Sequence, residues 1–244
     1  MAKLTFLGTG GSVVTKNRAC AGILFQDKLL DIGFGVLTNL AKSRIEINEI
    51  NQVYVSHAHS DHIGDFTGLV WSMAIKQRRK ALEVICSPGT ASSLKKILEL
   101  QATPKKGFVN FEIRFLAPGK VGVPSQRTIH DPPNLAFKFK VNGTRFVYSG
   151  DTAKCKALER LAQGSDLLIH ESTFLSNQKE LARITKHSTA DQAGEIASHA
   201  KVSELVLVHF APSSEGIEDE YKKQAESTFR GKVTLAQDLL SLNL

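Results

Sequence analysis

Within six residues, His57-Ala58-His59-Ser60-Asp61-His62, the chain places three imidazoles and one carboxylate directly behind an apolar run, Val53-Tyr54-Val55. A run of that kind reads as a buried strand, and a strand delivers its last residues rigidly to one edge of a sheet. In extended backbone His57 and His59 share a side, because side chains alternate with period two. Asp61 and His62 follow where the chain turns and face the same cavity from another angle. Donor sets this close suit two metal ions in one pocket, and imidazole with carboxylate fits zinc first, then manganese or iron. The plain alternative is a polar turn that happens to hold three of the chain's eight histidines.

A two-metal centre needs more donors than one loop supplies, and three other strand ends offer them. Gln126-Arg127-Thr128-Ile129 leads to His130, Val147-Tyr148-Ser149-Gly150 leads to Asp151, and the apolar run Leu205-Val206-Leu207-Val208 ends at His209. Singly, a histidine just past a buried strand is more often a satisfied core or surface residue. Their coincidence with the first cluster is what gives them weight.

The rest of the chain reads as one domain, residues 1–244, with no repeat, low-complexity tract or Pro/Gly-rich linker. Strands are expected over Lys3–Gly8, Gly22–Gln26 and Leu29–Ile32, with a hairpin break at Gln26-Asp27-Lys28. Helical patterns cover Val36–Lys42, Asp65–Lys76, Ala91–Leu100, Lys154–Ala162, Thr189–His199 and Glu218–Phe229. Between them lie strands Leu82–Cys86, Phe111–Leu116, Leu135–Val141, Thr144–Ser149, Asp166–His170, Glu204–His209 and Val233–Ala236. Asn142-Gly143 between two alternating runs marks a type I′ hairpin, whose two central residues need positive φ. A β-rich first half followed by alternating strands and helices suggests two packed sheets with helices outside, in the α/β class.

Composition adds limits. No apolar run approaches the roughly 18–20 residues that span a bilayer, and the start, Met1 to Gly8, is too short in its apolar part for a signal peptide. A cytoplasmic location and no membrane partner are therefore expected. Cys20, Cys86 and Cys155 have no Cys-x-x-Cys spacing and read as small core residues. A net charge of +7 would draw anionic substrates, nucleic acid among them. Lys76-Gln77-Arg78-Arg79-Lys80 at a helix end and Lys105-Lys106 are candidate phosphate contacts, or simply solvated cations at a helix terminus. Lys222, Lys223 and Arg230 pose the same choice.

The His-x-His-x-Asp-His stretch resembles the signature of the metallo-β-lactamase superfamily. That resemblance implies an αββα four-layer sandwich with its site at one edge between the sheets. It also implies His57, His59 and His130 on the first metal, Asp61, His62 and His209 on the second, and Asp151 bridging them. A shared carboxylate and a shared hydroxide offset the repulsion between two close cations, and the metals lower the pKa of bound water. Oxygen-reducing di-iron relatives carry glutamate in the place of His59, so a redox role is not expected and a hydrolase is.

Two further segments look like the tRNase Z branch. Phe6-Leu7-Gly8-Thr9-Gly10-Gly11-Ser12, with Thr15-Lys16-Asn17-Arg18 behind it, resembles that branch's opening, a turn where backbone N–H groups can approach an anion. Ile169-His170-Glu171-Ser172-Thr173-Phe174 with Lys186-His187-Ser188-Thr189 resembles its catalytic pair. By this match Glu171 orients His187 and His187 protonates the leaving oxygen; the alternative is that His187 merely precedes a helix cap at Ser188 or Thr189. His170 and His199 have no matched role.

The implied function is a two-zinc phosphodiesterase, with Mn2+ or Fe2+ as alternative metals. Metal-bound hydroxide would attack phosphorus, Asp61 would help orient it, and a homodimer is expected. The chain also departs from the pattern. Only 21 positions separate His130 from Asp151, which leaves no room for the tRNA-gripping arm. His209-Phe210-Ala211-Pro212 lacks the usual Arg-Tyr pair, and Ala19 stands where asparagine usually follows Arg18. The substrate readings are therefore tRNA 3′-end processing, a small or cyclic phosphodiester, or a lactone or thioester. The Glu171/His187 pair speaks against the last class, because an acyl substrate needs no such acid.

Overall fold

In the computed structural model of the chain, residues 3–101 and 109–244 are described. Two sheets lie face to face. The first has the strand order β13 (Ser241–Asn243), β1 (Lys3–Gly8), β2 (Gly22–Phe25), β3 (Lys28–Leu30), β4 (Gln52–Tyr54), β5 (Leu82–Ile85) and β6 (Ile113–Leu116). The second has the order β12 (Lys232–Leu235), β11 (Glu204–Val208), β10 (Leu167–Glu171), β9 (Thr144–Tyr148), β8 (Leu135–Val141) and β7 (Ser125–Arg127).

Period-two alternation builds three apolar layers from these strands. Phe137, Phe139 and Val141 of β8 meet Leu4, Phe6, Phe25 and Tyr54 in the layer between the sheets. There the rings of Phe25 and Tyr54 stand edge-on to Phe139 with centroids 4.9 and 5.0 Å apart, a favoured geometry for their quadrupoles. Leu29, Val53 and Val84 turn the other way, onto α1 (Val36–Lys42), α3 (Phe66–Ile75) and α4 (Pro88–Leu100). Leu168, Leu205 and Leu207 pack against α5 (Lys156–Ala162), α7 (Ala190–Ala200) and α8 (Glu218–Thr228). The result is the four-layer αββα sandwich.

The Asn142-Gly143 turn joins β8 and β9 with φ of 50° and 92°, and Val141 pairs with Thr144 across it. The α4 helix starts at Pro88, three residues before the apolar pattern begins. Ser87 Oγ accepts from Thr90 N there, and proline suits the first helical turn. Two short helices, α2 (Ser60–Ile63) and α6 (Lys179–Thr185), and the edge strand β13 carry no readable periodicity and were not anticipated. Among the described residues no helix is long and apolar enough to cross a membrane. Strands β3–β6 run parallel, as do β9–β12. The C-terminal ends of β4, β9, β10 and β11 therefore collect at one edge of the sandwich.

Candidate metal centre

His57 lies just past β4, and α2 carries Asp61 and His62 in its single turn. Asp151 follows β9 after Ser149 and Gly150. Gly150 has φ of 55°, and a Cβ there would lie 2.1 Å from Asn134 Oδ1, so only glycine lets this strand end pass the loop behind His130. Asn134 Oδ1 in turn accepts from Asp151 N at 3.2 Å. His209 ends β11 in the left-handed region, φ 60°, an uncommon conformation for a side-chain-bearing residue that recurs at functional sites.

These residues converge. Ligand atoms of His57, His59, His130 and Asp151 lie within 4.8 Å of one another, and so do those of Asp61, His62, Asp151 and His209. Asp151 belongs to both sets. Its Oδ2 lies 3.2 Å from both His62 Nε2 and His209 Nε2, and 3.7 Å from His57 Nε2. Its Oδ1 is buried with no hydrogen-bond partner. His57 Nε2 is 3.0 Å from His59 Nδ1, which is 3.2 Å from His130 Nε2. His62 Nε2 and His209 Nε2 are 3.2 Å apart. Imidazole nitrogens facing one another around an unsatisfied carboxylate oxygen fit a divalent cation.

The outward nitrogens of these histidines are also committed. His62 Nδ1 donates to Asp31 Oδ2 at 2.8 Å. His57 Nδ1 is 3.0 Å from Ser56 Oγ, which donates to Asp31 Oδ2 at 2.8 Å. Asp31 also accepts from Ser56 N and from the Tyr148 hydroxyl, each at 2.7 Å. His130 Nδ1 donates to the Lys186 carbonyl at 3.1 Å. Such outer partners choose the tautomer and aim the other nitrogen inward. Asp31 and Ser56 were missed as site residues; the only sequence signal was a carboxylate after the apolar pair Leu29-Leu30, which many strands share.

The electrostatics follow from this crowding. Burial pushes His57, His59 and His130 below the usual imidazole range, which leaves their lone pairs free. Burial also works against charge on His62, but Asp151, Asp31 and Asp61 outweigh it and hold that ring well above the ordinary value. For Asp151, burial is outweighed by His209 and His62, and its carboxyl falls well below the usual range.

Beside the two sets, the fully buried Glu171 accepts from His187 Nδ1 at 2.9 Å and from Thr152 N and Ser188 N at 2.7 and 3.1 Å. Burial would lower the His187 pKa, but the Glu171 carboxylate raises it to about 9. The ring stacks on His209 at 5.5 Å and is partly open to solvent. Thr189 caps α7 at the same time, so the capping role and the Glu171 contact coexist.

Other expectations fare unevenly. The Gly-rich turn does not present free amides to an anion. Gly10 N donates to Ala19 O, Gly11 N to Phe210 O, and Ser12 N to Asp61 Oδ2 at 2.6 Å. Its glycine is needed for packing, since a Cβ on Gly11 would lie 2.4 Å from the His209 ring. Arg18 is buried, donating to Thr9 Oγ1 and Ala236 O over the Phe210 ring, and is structural. In the Lys76–Lys80 cluster two of the four cations are committed within the fold, while Arg79 and Lys80 are exposed. Arg78 is only 3% exposed and donates to the carbonyls of Asn48, Lys80 and Ala81, while Lys76 pairs with Glu46. Lys222 pairs with Glu226. Lys105 and Lys106 lie outside the described residues. The three cysteines are buried and unpaired, and burial lifts the Cys20 and Cys86 thiols to about 12. His170 is a buried core residue, and His199 is an exposed one beside Glu159.

The family model of the beta-lactamase superfamily domain matches residues 29–210. The ribonuclease Z of Ignicoccus hospitalis is 30% identical over an alignment that covers 86% of this chain and 88% of that protein. Among solved structures, the metallo-beta-lactamase fold protein YhfI from Bacillus subtilis superposes with a TM-score of 0.84 at 25% identity, covering 99% of this chain and 98% of that one. Human short-form tRNase Z superposes at 0.80 with 23% identity and the same coverage. Fold, donor clusters and these likenesses agree: the chain belongs to the beta-lactamase superfamily, in its ribonuclease Z-like branch, and is a metal-dependent hydrolase.

Proposed function

We propose that residues 1–244 act as one catalytic domain, a two-zinc phosphodiesterase that cuts RNA at the 3′ side of tRNA-like substrates. The observation that carries this reading is the Glu171–His187 pair beside the two donor sets. Five imidazoles and two carboxylates favour zinc over harder cations. When bound, two such ions supply Lewis acidity toward a phosphoryl oxygen and acidify water near neutral pH.

The chain's own groups supply the rest. Asp61 is pinned by the Ser12 amide, so its carboxylate is fixed to orient the incoming nucleophile. Glu171 accepts a hydrogen bond from His187 Nδ1–H, which leaves Nε2 for the substrate. With a pKa of about 9 that ring carries its proton at neutral pH and gives it to the departing ribose oxygen. A poor alkoxide leaving group needs this acid; an acyl substrate or a nitrophenolate does not.

The direct test compares a 3′-extended precursor tRNA with bis(p-nitrophenyl) phosphate, using zinc-loaded protein and His187→Ala. Cleavage of the tRNA at a single site is expected, and the variant should lose about 10²–10⁴-fold on tRNA but far less on the nitrophenyl diester. Equal losses on both, or none on tRNA, would remove His187 from the acid role. Turnover of the small diester without tRNA cleavage would make the substrate a small phosphodiester. That outcome is a natural rival, because the short β8–β9 hairpin leaves His130 and Asp151 without an intervening arm.

A further inference from the structure

We infer that Thr173 is a positioning residue for the second donor set, through which the single buried carboxylate of Glu171 aims His209 as well as His187. The inference rests on the two-metal reading above.

Thr173 is 3% exposed. Its Oγ1 lies 2.6 Å from Glu171 Oε2, 3.0 Å from His209 Nδ1 and 3.2 Å from His187 Nδ1. A hydroxyl has one proton to give and two lone pairs to receive with. The ionised carboxylate can only accept, so the proton goes to Glu171 at the shortest of the three distances. The oxygen must then accept from an imidazole. His187 Nδ1 has a closer and charged acceptor in Glu171 Oε1, at 2.9 Å, which leaves the hydroxyl oxygen to His209 Nδ1–H. This chain of donors makes His209 the Nδ1–H tautomer and leaves Nε2, 3.3 and 3.2 Å from Asp61 Oδ2 and Asp151 Oδ2, as its ligand atom in the second donor set.

The need for such a strut is visible in the backbone. His209 sits at φ 60°, outside the strand ladder, so no regular hydrogen-bond pattern sets its ring plane. Gly11 bounds one side of the ring, which limits its position but not which nitrogen is protonated. Across the site the same device recurs: Asp31 reaches His57 through the Ser56 hydroxyl and His62 directly. Each buried carboxylate thus serves two histidines, one directly and one through a hydroxyl.

Zinc titrations against a chromogenic chelator, with wild type, Thr173→Val and Thr173→Ser, test this. The wild type should bind two zinc ions, and Thr173→Val should keep one and weaken the other by about 10–100-fold, the usual effect of losing an outer partner of a metal-bound histidine. Thr173→Ser should stay within a few-fold of wild type. Two tight sites in Thr173→Val, or equal weakening in Thr173→Ser, would overturn the inference. Fewer than two sites in the wild type would instead overturn the two-metal reading. A second measurement needs no variant: 15N-detected histidine NMR of the zinc-loaded wild type should show His209 protonated at Nδ1. An unprotonated Nδ1 would sink the role of Thr173 even if Thr173→Val fails to fold.

Discussion

Replacing Asp31 by Asn tests whether the outer carboxylate supports the site or merely sits beneath it. The side chain is fully buried and accepts four hydrogen bonds of 2.7–2.8 Å: Ser56 N at Oδ1, and Ser56 Oγ, His62 Nδ1 and Tyr148 Oη at Oδ2. An amide that keeps its oxygen at the crowded position must turn its NH2 toward Ser56 N–H, leaving that buried donor unpaired at about 1–3 kcal/mol. The other three bonds lose their charge assistance, about half of their strength. Relief from burying a charge offsets part of that loss. A net cost of about 3 kcal/mol remains, which corresponds to a fall in Tm of about 6–12 °C for a chain of this size. Differential scanning calorimetry of the metal-free protein measures it without contribution from metal. Zinc affinity should also fall by about 10–100-fold, since His57 and His62 lose the partner that aims them. An Asp31→Asn protein with Tm within 2 °C of wild type, by the about 2–4 °C per kcal/mol scale, and unchanged zinc affinity would refute the argument.

Two other outcomes follow from the same geometry. Carboxylates hold His62 protonated in the metal-free site despite its burial, and a bound metal needs that nitrogen free. Protons therefore compete with zinc, and apparent zinc affinity should rise by about tenfold or more per pH unit from pH 6 to 7; a flat profile in chelator competition would contradict this. Arg78→Ala should lower Tm by about 6–12 °C, because a buried side chain is lost and three carbonyls lose their donor. RNA affinity, read by filter binding, should stay unchanged, and a fall of fivefold or more without loss of Tm would restore Arg78 as an RNA contact.

Much of the site was legible because metal chemistry is written in residue type and position. His57, His59, Asp61 and His62 are close in sequence, and His130, Asp151 and His209 each follow a run whose alternation or apolarity marks a strand. Strand periodicity also located most of the sandwich, including the Asn142-Gly143 turn. Short elements escaped: α2 and α6 bury too little to leave a pattern, and β13 is held by pairing with β1. Within the basic cluster Arg78 misled, because a charged side chain in a sequence carries no mark of burial. Arg78 could be assigned to the protein interior only once the carbonyls of Asn48, Lys80 and Ala81 were seen around it.

The sequence alone determined the chemical inventory: which donors exist, that they stand at strand ends, and that Glu171 and His187 match a proton-donating pair. Tertiary structure decided what those groups do to one another. That Asp151 touches both donor sets, that Asp31 meets His62, that Glu171 meets His187 and Thr173 meets His209, and that Gly11 makes room for the His209 ring are contacts between residues well separated in the chain. A tautomer or a shifted pKa depends on atoms within a few ångströms, and only the packing of the two sheets brings those atoms there.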